Sequence, residues 1–325
     1  MMLSHQSFLV LSSCLFNYQL LPTVSSFTFT PLVRSSSQKL NHHHHRTTTT
    51  SSTEQNMAAK SICTFDKEDF ALPTGSWPYT ESDMGRLDPT DDSYFYDAPR
   101  FVTHIDDRAI ESLTSYYRDE IQALYDAKGG NTKLDMLDLC SSWVSHYPKE
   151  LEKTHYGQTV GIGMNEEELQ ANEQLFMYYR QNLNINPSLS QFADNSFDII
   201  TNVVSVDYLT KPKEIFEEMY RVLRPGGIAL MSFSNRCFAS KAIAMWLQAD
   251  DIERLTIVAS YYHYSAEWSS IEALDIKLPP MDTPERPSFG EMMSNPSKGF
   301  AWATTASFVA KMNSGDPMFV VKGVK

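Results

Sequence analysis

Three short stretches of this chain bring together residue types that could do chemistry. Asp138-Leu-Cys-Ser-Ser142 groups a carboxylate, a thiol and two hydroxyls, and Asn202-Val-Val-Ser-Val-Asp-Tyr208 adds an amide, a hydroxyl, a carboxylate and a phenol. Ser232-Phe-Ser-Asn-Arg236 ends on an amide and a guanidinium. Together these could hydrogen-bond a polar ligand, and the imidazoles of His146 and His263 are the side chains that exchange protons nearest neutrality. The cysteines Cys14, Cys63, Cys140 and Cys237 are widely spaced with no CxxC pair, so no zinc ribbon or disulfide framework is suggested and no metal site is expected.

The elements that must position these groups alternate between two periods. Leu134 to Cys140, Gln158 to Met164, Phe197 to Val204 and Ile228 to Phe233 are short apolar runs that read as buried strands, and Pro317 to Val324 reads as a last one. Helical runs follow from Glu166 to Arg180 and from Lys213 to Leu223, the latter ended by the turn Arg224-Pro-Gly-Gly227. Strands alternating with helices imply βαβ units and a parallel sheet. Ligands of such sheets bind beyond the carboxyl ends of the strands, near the switch in strand order. That rule selects Asp138 to Ser142, Gly163 to Asn165, Asn202 to Asp207 and Ser232 to Arg236 as places to search. Ahead of the sheet, Ile110, Leu113, Tyr117, Ile121 and Leu124 recur at helical spacing, stopped by Gly129-Gly130. Ala58 to Arg100 shows no sustained period and reads as an irregular arm; its aromatic cluster, Tyr94 to Arg100, packs on the core or, alternatively, covers a small-molecule pocket.

Phe192-Ala-Asp-Asn-Ser-Phe-Asp-Ile-Ile-Thr201, then Asp207-Tyr-Leu-Thr-Lys-Pro212, then Ile215 to Gly227 with its Arg-Val-Leu-Arg-Pro-Gly-Gly ending, resemble the type-11 family of class I S-adenosylmethionine-dependent methyltransferases. The resemblance covers about Leu134 to Asn235. It implies an α/β, Rossmann-like fold with a mostly parallel seven-stranded sheet flanked by helices, and S-adenosyl-L-methionine as cofactor. The family's first motif reads Leu-Asp-Leu-Gly-Cys-Gly-x-Gly; here Asp138 and Leu139 match, while Cys140, Ser142 and Val144 stand at the glycine positions. The acid that normally holds the ribose aligns with Gly163, leaving Glu166 and Glu167 as nearby substitutes, and the adenine contact falls near Asn182, after a weak third strand. The cofactor residues implied are therefore Asp138, Cys140, Ser141, Ser142, Gly163, Asn165, Asn182 and Asn202. Methyl transfer needs alignment of the acceptor and exclusion of water, and a base only where the acceptor must lose a proton. Asp207, Tyr208, His146 and His263 are the candidates for that catalytic role. Asp207 could instead cap the following helix, and each histidine could be a hydrogen-bonded structural residue.

Composition limits the partners and organises the chain. The 325 residues are 42% hydrophobic, enough for one main domain with extensions, and the formal charge is −13. The first 53 residues carry Arg34, Lys39 and Arg46 but no acid, so the body is more acidic still, which argues against a nucleic-acid partner and for a small-molecule one. No apolar stretch of about 18 residues predicts stable membrane insertion. Residues 1–57 read as a targeting presequence: an apolar run from Phe8 to Phe16, then a Ser/Thr-rich, acid-poor segment from Phe27 that resembles the bipartite presequences of algae with secondary plastids. Delivery to the plastid is the expectation, with the cytoplasm as the alternative. The remaining divisions are an arm and helix over 58–130 and a methyltransferase-like domain over 131–325. The function expected is methyl transfer from S-adenosylmethionine to a small molecule. The alternative is a catalytically inactive methyltransferase-like binding or scaffold protein, and a nicotinamide-dependent reductase is disfavoured because no GxGxxG follows the first strand.

Overall fold

The structure is a computed structural model that describes residues 59–325. The presequence expectation for residues 1–57 lies outside the described residues. In chain order the strands are β1 (Lys60–Phe65), β2 (Leu134–Leu139), β3 (Tyr156–Gly163), β4 (Met177–Arg180), β5 (Phe197–Val203), β6 (Leu223–Phe233), β7 (Ser270–Asp275) and β8 (Phe319–Val324). The helices are α1 (Asp92–Phe95), α2 (Asp107–Ala127), α3 (Glu152–His155), α4 (Glu166–Ala171), α5 (Pro212–Val222), α6 (Ala244–Gln248), α7 (Asp251–Ser265), α8 (Phe289–Ser294) and α9 (Pro296–Asn313).

One sheet of order β1-β7-β8-β6-β5-β2-β3-β4 runs through the molecule. The five strands from β6 to β4 are mutually parallel; β8 is antiparallel to both β6 and β7, and β1 is antiparallel to β7. The Rossmann-like architecture is as expected, but the sheet has eight strands rather than seven. The extra strand is β1, formed by Lys60–Phe65 within the stretch read as irregular, where six residues are too few to display a period beside the turns that follow. Two further boundaries differ. The run from Glu166 to Arg180 is a six-residue helix followed by strand β4, and Arg224-Pro-Gly-Gly227 belongs to β6, where the pairing with β5 shifts register between Phe197 and Ile199.

Successive strand residues point to opposite faces, and both faces are covered. Leu134, Met136, Ile199, Leu230 and Val320 meet α2, while Leu137, Ile200, Ala229, Met231 and Val321 meet α5 and α7. In α2 the buried Ala109, Leu113, Tyr117 and Ile121 form the stripe; the Asp106 carboxylate accepts from Ala109 N at 2.9 Å to cap its start, and Gly129 and Gly130 (φ 93° and 68°) turn the chain out of it. In α5, Pro212 supplies the first turn and Ile215, Phe216, Met219 and Val222 the buried face.

The amino ends of β5 and β6 are clamped by charge. Asp198, buried, accepts from Asp135 N at 2.8 Å, pairs with Arg224 at 2.5 Å and with Lys128. A Cβ at Gly227 would sit 2.8 Å from the Asp198 carbonyl, so only glycine allows this approach. Arg221 binds Asp194 at 2.8 Å and the carbonyls of Leu189 and Phe192, while Asn195, at φ 56°, turns the chain into β5. Asp198→Ala is expected to lower the unfolding free energy by about 2–3 kcal/mol in urea titrations, since it removes the partner of Lys128 and of the Asp135 N–H and leaves Arg224 paired with Asp135 alone. Asp194→Ala, at an exposed carboxylate, should cost less than about 1 kcal/mol in the same measurement.

Candidate functional site

At the carboxyl end of β2 the Asp138 carboxylate is buried and met by hydroxyls on both oxygens. Ser141 Oγ and Ser145 Oγ each donate to Oδ2 at 2.7 Å, and Thr201 Oγ1 donates to Oδ1 at 3.2 Å. Asn172 Nδ2 donates to the Ser142 carbonyl and to Ser145 Oγ, both at 2.9 Å, and Ser141 N donates to the Ile162 carbonyl at 2.7 Å. These bonds fix the loop's course without glycine. Cys140, at the first expected glycine position, holds φ 57°, and Val204, just beyond β5, holds φ 43°. Non-glycine residues in such conformations store about 1–3 kcal/mol each and persist only when surrounding contacts enforce them.

A cavity of about 540 Å³ opens above this loop, within the range of small-molecule sites. It lies across the carboxyl ends of β2 and β5, where the strand order reverses. Of the residues read from the sequence, Asp138, Cys140, Ser141 and Ser142 form its floor, and Gly163, Asn165 and Asn182 its side; Tyr208 and His146 also reach it. Asn165 and Asn182 have further work. Asn165 caps α4 through Glu168 N and donates to the carbonyls of Tyr96 and Asp97, while Asn182 Nδ2 donates to Asp91.

Three candidates stand outside the cavity wall. Asn202 is buried behind Cys140, donating to the Leu139 carbonyl at 3.1 Å, with its Oδ1 unpartnered. Asp207 is buried in the turn after β5 with Oδ2 unpartnered, and it does not cap α5, whose first turn is preceded by Lys211. His263 lies on α7 facing the stretch after β1, its Nε2 2.9 Å from the Leu72 carbonyl and its ring stacked on Phe70 at 4.1 Å. It is a structural histidine, and the sequence offered no way to see that α7 turns it away.

Burial shapes the titration of the site. It pushes the Asp138 carboxyl up to about 6, against the pull of the Ser145, Ser141 and Thr201 hydroxyls, and the Asp207 carboxyl up to about 8. It drives the Cys140 thiol up to about 12 and the His146 imidazole down to about 4, so both are neutral at physiological pH.

Several residues that sequence reasoning missed complete the site. Glu168 is buried on its side, Oε2 accepting from Ser142 Oγ and Oε1 from Arg100 N, both at 2.6 Å, whereas Glu166 and Glu167 are exposed. The arm forms the roof: Tyr96, Arg100 and His104 face the cavity, with Phe238 opposite, and the Arg100 guanidinium lies 4.4 Å from the Phe95 ring centroid. Its Nη2 donates to the Phe95 carbonyl at 2.7 Å and Nη1 is unpartnered. The aromatic cluster thus covers a pocket rather than filling the core. Trp143, the bulky residue of the loop, donates from Nε1 to the Val102 carbonyl at 3.1 Å and so fastens floor to roof. Lys241, wholly buried, pairs with Asp88 at 2.9 Å and Asp92 at 3.4 Å, and Arg86 pairs with Asp92 at 2.7 Å. The one available signal was the density of acids and aromatics between Asp88 and Arg100.

The folded chain holds the Asp138 and Asp207 protons more tightly than the unfolded chain, whose carboxyls titrate near 3.8. The stability this gives is full below about pH 4 and is lost as pH rises through about 6 for Asp138 and about 8 for Asp207. Urea midpoints measured across pH 5 to 9 should therefore fall less steeply in Asp207→Asn than in the unaltered protein, with the variant more stable at the upper end; parallel profiles would refute the assignment.

Residues 140–231 match the family described as methyltransferase domain. A thiol S-methyltransferase of Mus musculus is 24% identical over 148 residues, which are 45% of this chain and 59% of that protein. A ubiquinone/menaquinone biosynthesis C-methyltransferase of Roseobacter denitrificans is 44% identical over 45 residues, 14% of this chain and 18% of the relative. The chain thus spans less than two thirds of the length of either relative. Among solved structures, phosphoethanolamine N-methyltransferase 2 of Haemonchus contortus, in complex with phosphomonomethylethanolamine and S-adenosylhomocysteine, aligns over 73% of this chain and 61% of its own, at 15% identity and a TM-score of 0.40. The strand order is that of a Rossmann-like methyltransferase fold, and residues 140–231 within it carry the match to the methyltransferase domain family.

Proposed function

We propose that the chain binds S-adenosylmethionine in the cavity above β2 and β5 and transfers its methyl group to a small-molecule acceptor. The observation that carries the reading is Cys140: a side chain stands where the family has glycine, yet the backbone keeps the left-handed turn that glycine would adopt. The turn at this one residue is thus kept, and the cavity is large enough for such a ligand. Cys140, Ser141 and Ser142 would hold the methionine part, the wall from Gly163 to Asn165 the ribose, and the stretch at Asn182 the adenine, with Asp138 and Asn202 supporting the loop from behind.

When bound, the cofactor supplies an activated methyl on a sulfonium. The chain's own residues then have three tasks. The arm, pinned by Lys241 and Trp143, excludes water from the cavity. Tyr208, whose hydroxyl accepts from Phe238 N at 2.8 Å, and Phe238 form an aromatic wall that positions the acceptor. His146, neutral and at the wall, can take a proton from an acceptor that must lose one. A thiol, as named for the Mus musculus relative, is the first acceptor to test. Delivery to the plastid by residues 1–57, or retention in the cytoplasm, is a separate proposal resting on that segment's composition.

Titration calorimetry of the full chain with S-adenosylmethionine and S-adenosylhomocysteine tests the reading. Binding is expected, and S-adenosylhomocysteine at a hundredfold excess over its Kd should raise the unfolding free energy by about 2.7 kcal/mol. No heat and no stabilisation at millimolar ligand would overturn it.

A further inference from the structure

The two departures from the family's pattern, lost glycines in the first loop and a lost acid at the end of the second parallel strand, meet at one contact. Gly163 ends β3 beneath the serine loop, and a Cβ there would lie 2.1 Å from the Ser141 carbonyl oxygen and 3.0 Å from Leu169 Cδ2. Backbone does not yield by that amount, so no side chain, acidic or otherwise, can stand at this position while the loop follows its observed course. The loop is held there by Asp138 and by Ser141 N on the Ile162 carbonyl. Glycine has in effect moved from the loop to the strand.

A carboxylate is nevertheless present on the same side of the cavity. Glu168 lies in the first turn of α4, five residues beyond Gly163, 8% exposed and on the cavity wall. Its two oxygens each accept one hydrogen bond, from Ser142 Oγ and Arg100 N, which fixes the orientation of the group. A carboxylate has about four acceptor positions, so each oxygen retains capacity for one more donor. Two vicinal hydroxyls are the ligand chemistry that matches two such oxygens. The nearby acids Glu166 and Glu167 point to solvent and cannot serve.

The geometry points to Glu168 as the residue that receives the ribose diol of the cofactor, displaced from the strand end to the helix because the serine loop occupies the space of the usual acid. This rests on the S-adenosylmethionine reading above. It also makes Ser142 and the arm at Arg100 positioning residues for ribose, since both hold the carboxylate.

Calorimetry of the full chain with S-adenosylhomocysteine and with its 2′-deoxy analogue tests the assignment. The unaltered protein should prefer the ribose form by about tenfold or more, the scale of a charged hydrogen bond. Glu168→Gln, which keeps size and shape, should lose about tenfold affinity for S-adenosylhomocysteine and little for the 2′-deoxy ligand, so the preference collapses. A general loosening of the loop would weaken both ligands equally and overturn the proposal, as would a preference unchanged in the variant. Should Glu168→Gln fail to fold, the unaltered protein still decides: equal affinity for the two ligands overturns the proposal, and a clear ribose preference with Glu167→Gln unchanged supports it. Absence of binding to either ligand by the unaltered protein defeats the cofactor reading itself, an outcome separate from these.

Discussion

Burying the Asp138 carboxylate at the end of β2 is unfavourable unless donors meet it, and the hydroxyls that do so come from both sides of the site. Ser141 and Ser145 belong to the loop, Thr201 to the neighbouring strand β5, and Thr201 is itself 2.6 Å from the Tyr147 hydroxyl. The loop's shape, the register of β2 against β5 and the position of the segment entering α3 are thereby tied to one group. Where a glycine-rich loop obtains a close approach by lacking side chains, this one obtains a fixed path by spending side chains on a buried anchor. The left-handed Cys140 follows from that anchoring, as strain tolerated because the surroundings leave no other route.

How much of this was legible in the sequence differs between the two ends of the sheet. Asp194 to Asp198 and Arg221 to Gly227 stood out as motifs, and in the structure they build the clamp at the amino ends of β5 and β6, remote from the cavity. Their spacing is set by local turns and strand starts, which a linear reading captures. The cavity floor was legible for the same reason: Asp138 to Ser142 and Tyr208 follow directly on predicted strands. The roof was not. Lys241 and Asp88 are separated by about 150 positions, and nothing in either neighbourhood announces a buried ion pair. Glu168 was hidden among three successive glutamates, and only the turn of α4 decides which of them faces inward. His263 failed for the converse reason, a chemically able side chain whose helix faces the wrong way.

The roof is held by polar contacts to several of the strand-end loops. Asn165, Glu168, Asn182 and Asn184 each bond the arm, and Lys241 anchors it from the far side. Buried ion pairs of this kind add little net stability compared with apolar packing, but they penalise any misplacement of the arm. Their contribution is therefore better described as specifying where the roof sits. The same groups that hold the arm also line the cavity, which couples the seating of the roof to the state of the floor.

Strand β8 has a consequence for how this molecule is made. It follows the other seven strands in sequence, yet it lies inside the sheet, hydrogen-bonded to β6 on one flank and β7 on the other. Without β8, β6 and β7 each lack one partner, and β1 with β7 is not joined to the parallel strands. Contacts of such long sequence separation form slowly, and the open flanks of β6 and β7 are meanwhile exposed edges. The interval before β8 is placed is therefore when these strands are most exposed to association with neighbouring molecules.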